Sequence, residues 1–210
     1  MTRVKVCGLT DAAEAVAVAA AGADAVGLVF AESPRRVSME TARGIVAALP
    51  PFVQSVGVFV DEDPARVAEV AAACGLDLLQ FHGEEPPAYC ARFAPRAVKA
   101  RRVRSADDIE ALRPYEAAVR AFLLDAWAPD AHGGTGRTFD WALAVRAVRE
   151  LARPVILAGG LDPENVGRAV ARVRPWAVDV SSGVERAPGR KDPARVAAFV
   201  RAVAAAPEPA

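Results

Sequence analysis

The sequence lacks an excess of charge of either sign: 26 Lys and Arg stand against 26 Asp and Glu. Affinity for nucleic acid rests on neutralising phosphates, so a nucleic-acid-binding domain normally carries a basic surplus. None is present, and no nucleic-acid partner is expected. Cysteine is scarce. Cys7, Cys74 and Cys90 are odd in number, with spacings that fit no zinc motif, and they read as reduced thiols in a cytoplasmic protein. No apolar run approaches the length of a membrane span, and the N-terminus lacks the apolar core of a signal peptide. Neither a Walker loop nor a GxGxxG fingerprint occurs.

What is present is a repeated pattern. Hydrophobic residues make up 53% of the 210 residues and charged ones 25%, the balance of a globular domain. Short β-branched runs alternate with longer alanine-rich stretches of helical period. Strands are expected at Val4–Val6, Ala25–Phe30, Ser55–Val60, Leu78–Phe81, Ala97–Ala100, Ala121–Leu124, Val155–Leu157 and Ala177–Val180. Helices are expected at Asp11–Ala21, Met39–Leu49, Pro64–Ala73, Pro86–Phe93, Ala106–Leu112, Trp141–Leu151, Pro163–Val173 and Pro193–Val203. Ser38, Asp63, Ser105, Asp162 and Asp192 suit helix N-caps, and proline follows three of them, Asp63, Asp162 and Asp192, at the first helical position. Gly22 and Gly75 suit left-handed C-caps.

Eight βα units in 210 residues leave about 26 residues apiece. Repeated βα units imply a parallel sheet covered by helices. Eight of them predict a compact, single-domain (β/α)8 TIM barrel with short loops, spanning residues 1–205, with a frayed tail at 206–210. A doubly wound open sheet is the alternative. The barrel is preferred because glycine-rich loops follow both of the last two strands, where barrels commonly hold phosphate. The apolar helix faces are used up in covering such a barrel, so monomer and homodimer both remain open.

In a barrel the active site lies at the C-terminal strand ends, and alternate strand residues face inward. Parity turns Val4 and Val6 toward the helices and Lys5 and Cys7 toward the interior, with Cys7 at the mouth. Two readings stand for Cys7: a small core hydrophobe, or a reactive thiol whose ionisation a nearby cation such as Lys5 promotes. Cys74 and Cys90, among helical alanines, read as core. Parity places Asp125 at the mouth with Leu123 behind it, either as a loop cap or as a general acid. Gln80 and His82 share an inward face, where His82 is a pocket residue or a rim hydrogen-bonder; His132 reads as solvated. Asp179 and Ser181 share a face of the eighth strand, which closes against the first. Asp179 is thereby a partner for Lys5 inside the barrel or a substrate contact from below.

Gly159-Gly160 after strand seven and Ser181-Ser182-Gly183 after strand eight allow backbone N–H groups to approach a phosphate, and a short helical turn in the second loop would add its dipole. Residues Ala126–Thr138 form a long connection with Gly133-Gly134-Thr135-Gly136, read as a lid or as a surface loop.

Taken in order, Lys5-Val6-Cys7-Gly8-Leu9-Thr10, Gly27-Leu28-Val29-Phe30 with Ser33-Pro34-Arg35, Gly57-Val58-Phe59, Gln80-Phe81-His82-Gly83, Gly133-Gly134-Thr135-Gly136 with Phe139-Asp140-Trp141, Leu157-Ala158-Gly159-Gly160-Leu161 and Asp179-Val180-Ser181-Ser182-Gly183-Val184-Glu185, followed by Pro188-Gly189 and Lys191-Asp192, make the chain resemble the phosphoribosylanthranilate isomerase family over nearly its whole length. Phe81 stands where a smaller aliphatic is usual, and Arg137 where lysine is commoner. The resemblance implies an Amadori rearrangement of a small-molecule substrate, N-(5-phosphoribosyl)anthranilate, in tryptophan biosynthesis, without metal or organic cofactor. It implies Cys7 as general base and Asp125 as general acid. It makes Arg35 the residue that meets or orients the anthranilate carboxylate, one of Arg35 and its neighbour Arg36 being solvated, and Gln80, His82 and Asp179 pocket-lining residues. Gly134, Gly159, Gly160, Ser181, Ser182 and Gly183 are then the phosphate ligands.

Overall fold

The structure is a computed structural model and describes residues 1–126 and 141–207. Eight parallel strands close into a barrel in sequential order. They are β1 (Arg3–Cys7), β2 (Ala25–Val29), β3 (Gln54–Phe59), β4 (Leu78–Phe81), β5 (Ala97–Val103), β6 (Ala121–Ala126), β7 (Val155–Ala158) and β8 (Ala177–Val180). Eight helices cover them: α1 (Ala12–Ala20), α2 (Met39–Ala48), α3 (Pro64–Cys74), α4 (Pro87–Ala91), α5 (Ala106–Glu110), α6 (Trp141–Glu150), α7 (Val166–Val173) and α8 (Pro193–Ala204). The fold is the expected (β/α)8 barrel, and β1 pairing with both β2 and β8 rules out the open sheet. Among the described residues no helix is long and apolar enough to cross a membrane.

Strand alternation sorts the side chains into two layers. Val4, Val6, Leu79, Phe81, Phe122, Leu124, Val178 and Val180 join the large apolar layer between strands and helices. Val98, Ala100, Ala121, Leu123 and Ala158 form a second cluster inside the ring. Phe81 belongs to the outer layer and packs edge-on against Tyr89, with ring centroids 5.3 Å apart. Its size therefore does not intrude on the barrel interior.

Local chemistry starts and stops the helices as the sequence implies. Asp63 accepts from the backbone N–H groups of Ala65 and Arg66, and Asp192 from those of Ala194 and Arg195. Gly75 ends α3 at φ +67°, a conformation that costs glycine nothing. The helix expected from Pro163 begins only at Val166. Asp162 caps a separate turn there, accepting from the N–H groups of Glu164 and Asn165. The Asn165 side chain ties that turn back to the Gly160 carbonyl at 2.8 Å. The expected Ala106–Leu112 helix stops at Glu110, and a 3-10 turn, Arg113–Tyr115, follows around Pro114. One element has no counterpart in the sequence reading: a small hairpin of β9 (Glu185–Ala187) and β10 (Arg190–Lys191), turning at Gly189 with φ +74°.

Candidate active site

Cys7 ends β1 at the C-terminal rim. The next residue, Gly8, has φ +82°, and the N–H groups of Gly8 and Leu9 both donate to the Gly27 carbonyl, at 2.9 and 3.1 Å. This turns the chain sharply away from the rim. Gly27, paired with Cys7 across β1 and β2, leaves room for the sulfur: a Cβ at Gly27 would lie 2.6 Å from Cys7 Sγ. Ser181 Oγ donates to the Cys7 carbonyl at 3.1 Å, fixing the strand end from the other side.

Below the thiol lies a buried ion pair. Lys5 Nζ donates to Asp179 Oδ1 at 2.8 Å, with Lys5 and Asp179 in register across the β1–β8 seam. The geometry makes Asp179 the partner of Lys5 inside the barrel. Burial pushes the Cys7 thiol above its ordinary value; Lys5 and Lys191 pull it down, while Asp179 adds to the rise. Of the influences open to the thiol, desolvation of the thiolate outweighs the nearby ammonium here, and Lys5 serves as the ion-pair partner of Asp179. Burial also opposes the Lys5 charge, but Asp179 and Cys7 more than compensate and hold its pKa above the ordinary lysine value.

Asp125 lies on β6 in the inward register of Leu123. His82 Nε2 stands 3.5 Å from Asp125 Oδ2 and has no hydrogen-bond partner among the described residues. Arg102 Nε, opposite Asp125 in the β5–β6 register, is 3.9 Å from the same oxygen. Gln80 Nε2 and His82 Nδ1 approach to 3.4 Å, so both lie on the one inward face.

The two glycine loops interlock. Gly159 and Gly160 take φ +85° and +63°. Gly183 sits against the Leu161 carbonyl so closely that any side chain would collide with backbone. Ser182–Val184 form a 3-10 turn, the short helical element expected after strand eight. Arg195 of α8 donates to the Gly183 carbonyl at 3.0 Å, bracing the loop from behind. Gly134 and the expected lid beyond Ala126 lie outside the described residues.

Arg35 is already engaged. Its Nε and Nη2 donate to the two carboxylate oxygens of Glu185 at 2.7 and 2.6 Å. Arg36 is exposed, as expected of the solvated member of the pair. Glu185 also accepts from Lys191 Nζ at 2.8 Å. Burial opposes the carboxylate charge, but the hydrogen bonds from Arg35 and Lys191 win and hold the Glu185 carboxyl down at about 2. Burial lowers Lys191 below the usual lysine value despite Glu185. Glu185 and Lys191 stood in the sequence only as members of the family motif, without a role, and Arg195 not at all, since none is marked by parity or by a glycine pattern. Among the described residues no three His, Cys, Asp or Glu side chains converge as a metal site.

A family model described as N-(5'phosphoribosyl)anthranilate (PRA) isomerase matches residues 4–202. A curated N-(5'-phosphoribosyl)anthranilate isomerase from Moorella thermoacetica is 54% identical over 99% of this chain and 92% of its own length. One from Geobacter sulfurreducens is 53% identical over 96% of this chain and 98% of its own. The crystal structure of phosphoribosyl anthranilate isomerase from Thermotoga maritima superposes with a TM-score of 0.89 at 45% identity, covering 97% of this chain and 99% of that one. A further such isomerase, crystallised with reduced 1-(o-carboxyphenylamino)-1-deoxyribulose 5-phosphate, gives a TM-score of 0.86 at 42% identity, over 97% and 99% of the two chains.

Proposed function

Because the chain belongs to the N-(5'-phosphoribosyl)anthranilate isomerase family, we propose that it isomerises N-(5'-phosphoribosyl)anthranilate to 1-(2-carboxyphenylamino)-1-deoxyribulose 5-phosphate, with Cys7 as general base and Asp125 as general acid. The observation that carries this reading is the placement of both groups on inward registers at one rim, beside the interlocked glycine loops.

The chemistry assigns each group a task. Opening the ribose ring needs a proton on the ring oxygen, which Asp125 delivers. The anthranilate nitrogen then forms a protonated imine with C1. That cation acidifies the C2–H bond, and the Cys7 thiolate takes the proton. The electron pair flows to nitrogen as an enolamine, which tautomerises to the aminoketose. No atom is gained or lost, and no redox partner is required. The elevated thiol pKa makes the sulfur a stronger base once ionised. The backbone of Gly159, Gly160, Ser181, Ser182 and Gly183 holds the phosphate, so that binding energy far from the reacting carbon orients it. Gln80, His82 and Asp179 line the floor. Three free thiols fit a cytoplasmic setting.

Loss of the fluorescence of the anthranilate adduct on addition of purified protein measures the reaction. Turnover at catalytic enzyme concentrations is expected; no turnover at micromolar enzyme would overturn the reading.

A further inference from the structure

The hairpin after β8 returns the chain to the active-site rim, and its two cross-strand partners, Glu185 and Lys191, are opposite charges. Their meeting is not a surface ion pair. The Lys191 side chain is 0% exposed and that of Glu185 is 5% exposed. The Glu185 carboxylate accepts four hydrogen bonds: two from Arg35, one from Lys191 Nζ and one from Gly189 N–H at 3.2 Å. Lys191 is held in turn by the Ser181 carbonyl at 3.3 Å, and its backbone N–H donates to Glu14 Oε1 at 2.9 Å. Burying two charges costs desolvation, and it is sustained only where the geometry is well satisfied. Here the satisfied geometry ends on one group, the Arg35 guanidinium.

Which edge of that guanidinium is taken decides what the other can do. Glu185 occupies the Nε–Nη2 edge in a fork-to-fork contact. Among the described residues no group takes the Nη1–Nη2 edge, which is left for a second planar carboxylate. Within the side-chain triad of Arg35, Glu185 and Lys191 one positive charge remains; Glu14 meets only the Lys191 backbone N–H. The Arg35 stem is fixed as well, since its Cδ packs on Gly8, the residue after Cys7.

We infer that Glu185, buttressed by Lys191, is a positioning residue that presents the outer edge of Arg35 to the ring carboxylate of the substrate and so selects for an ortho-carboxylated arylamine. This rests on the proposed activity and extends it to the origin of its specificity. Neutralising Glu185 frees the guanidinium to rotate about its stem and exposes it to repulsion from Lys191. Recognition of the carboxylate then weakens, while phosphate binding at the glycine loops is untouched.

The test compares two probes by calorimetry: reduced 1-(o-carboxyphenylamino)-1-deoxyribulose 5-phosphate, and the same compound without the ring carboxylate. Glu185→Gln is expected to cut the preference for the carboxylated probe by about ten-fold or more, the scale of a charge-assisted contact. The carboxylate-free probe should bind nearly as well as to wild type. Arg35→Met should abolish the preference altogether. If Arg35→Met loses the preference and Glu185→Gln retains it, the positioning role is overturned and the carboxylate contact survives. If Arg35→Met retains it, the carboxylate contact fails and the inference with it. Equal weakening of both probes by Glu185→Gln would mark a structural role only and overturn the proposal. Glu185→Asp, which keeps the charge but withdraws it by one methylene, serves if Glu185→Gln does not fold; full preference in that variant overturns the proposal too.

Discussion

Lys5 Nζ lies 2.8 Å from Asp179 Oδ1 inside the barrel, across the seam where β1 meets β8, and both residues act on the charge of the thiol above them. The seam closes the ring, and the same closure builds the electrostatic floor of the site. Breaking such a pair by removing one partner costs about 3–5 kcal/mol, so both variants below should be less stable than wild type.

The two members of that pair pull Cys7 in opposite directions. Lys5→Met removes the cation and should move Cys7 ionisation to higher pH. Asp179→Asn removes the anion and leaves Lys5 uncompensated, moving it lower. The rate of iodoacetamide alkylation at Cys7, followed by mass spectrometry of its peptide across pH, reads both shifts. Shifts in the same direction, or none, would mean that the pair does not set the state of the thiol.

Gly27 and Gly44 form a matched contrast. A methyl at Gly27 meets Cys7 Sγ at 2.6 Å, whereas a methyl at Gly44 meets nothing within 4 Å among the described residues. Gly27→Ala should displace the sulfur and lower kcat by about 10²-fold, since misplacement of a reacting group by a fraction of an ångström to 1 Å is that costly. Gly44→Ala, in α2, should leave kcat unchanged and stabilise the fold by about 0.5–1 kcal/mol. Steady-state kinetics and thermal unfolding of both variants check the pair.

Cys7→Ser and Asp125→Asn should each cut kcat by about 10²-fold or more, because each removes one proton transfer. Binding of the reduced product analogue should change little. Either variant turning over at the wild-type rate removes that residue from the mechanism.

Periodicity made most of this visible in advance. The alternation that turned Val4 and Val6 to the helices and Lys5 and Cys7 to the barrel interior follows from strand geometry alone, and so did the inward placement of Leu123 and Asp125. The Lys5–Asp179 contact followed from closure of strand eight on strand one. What escaped was contact between segments without a period. The engagement of Arg35 by Glu185 spans 150 residues, and the return of Lys191 to Glu185 depends on where a two-residue turn redirects the chain. No spacing rule encodes that. The late start of α7 escaped for a related reason: Asp-Pro signals a helix start, but here Asp162 and Asn165 close a turn of their own and tie it to Gly160. The balance of forces on Cys7 was also beyond sequence, since the weight of burial against a nearby cation requires the packing.

Gly183 and Gly160 separate two roles for glycine in the phosphate loops. Gly183→Ala forces the strand-eight loop off the Leu161 carbonyl and should raise KM several-fold or more through the phosphate subsite. Among the described residues nothing lies within 4 Å of a Cβ at Gly160, but its φ is +63°, so Gly160→Ala should cost about 1 kcal/mol of backbone strain and act mainly on stability. A sulfate soak should place an anion at the backbone of Gly160, Ser182 and Gly183. An ordered anion elsewhere with none here would remove the assignment.

The depressed Glu185 carboxyl makes the rim cluster a source of pH-dependent stability with a defined sign. Its ordinary value is 4.5 and its folded value about 2, so the folded state binds the proton more weakly than the unfolded chain. Its contribution is therefore complete above pH 4.5, shrinks as the pH falls from there, and is gone below about 2. The magnitude is on the order of 2 kcal/mol after allowing for solvent screening at the rim. Glutamine does not titrate, so the stability gap between wild type and Glu185→Gln should be constant above this window and narrow within it. Urea denaturation of both proteins at closely spaced pH values measures the gap. A gap that stays constant down to pH 2 would mean that Glu185 is not charged by its neighbours in the way the hydrogen bonds imply, and the Arg35 edge would then have no fixed anion against which to be held.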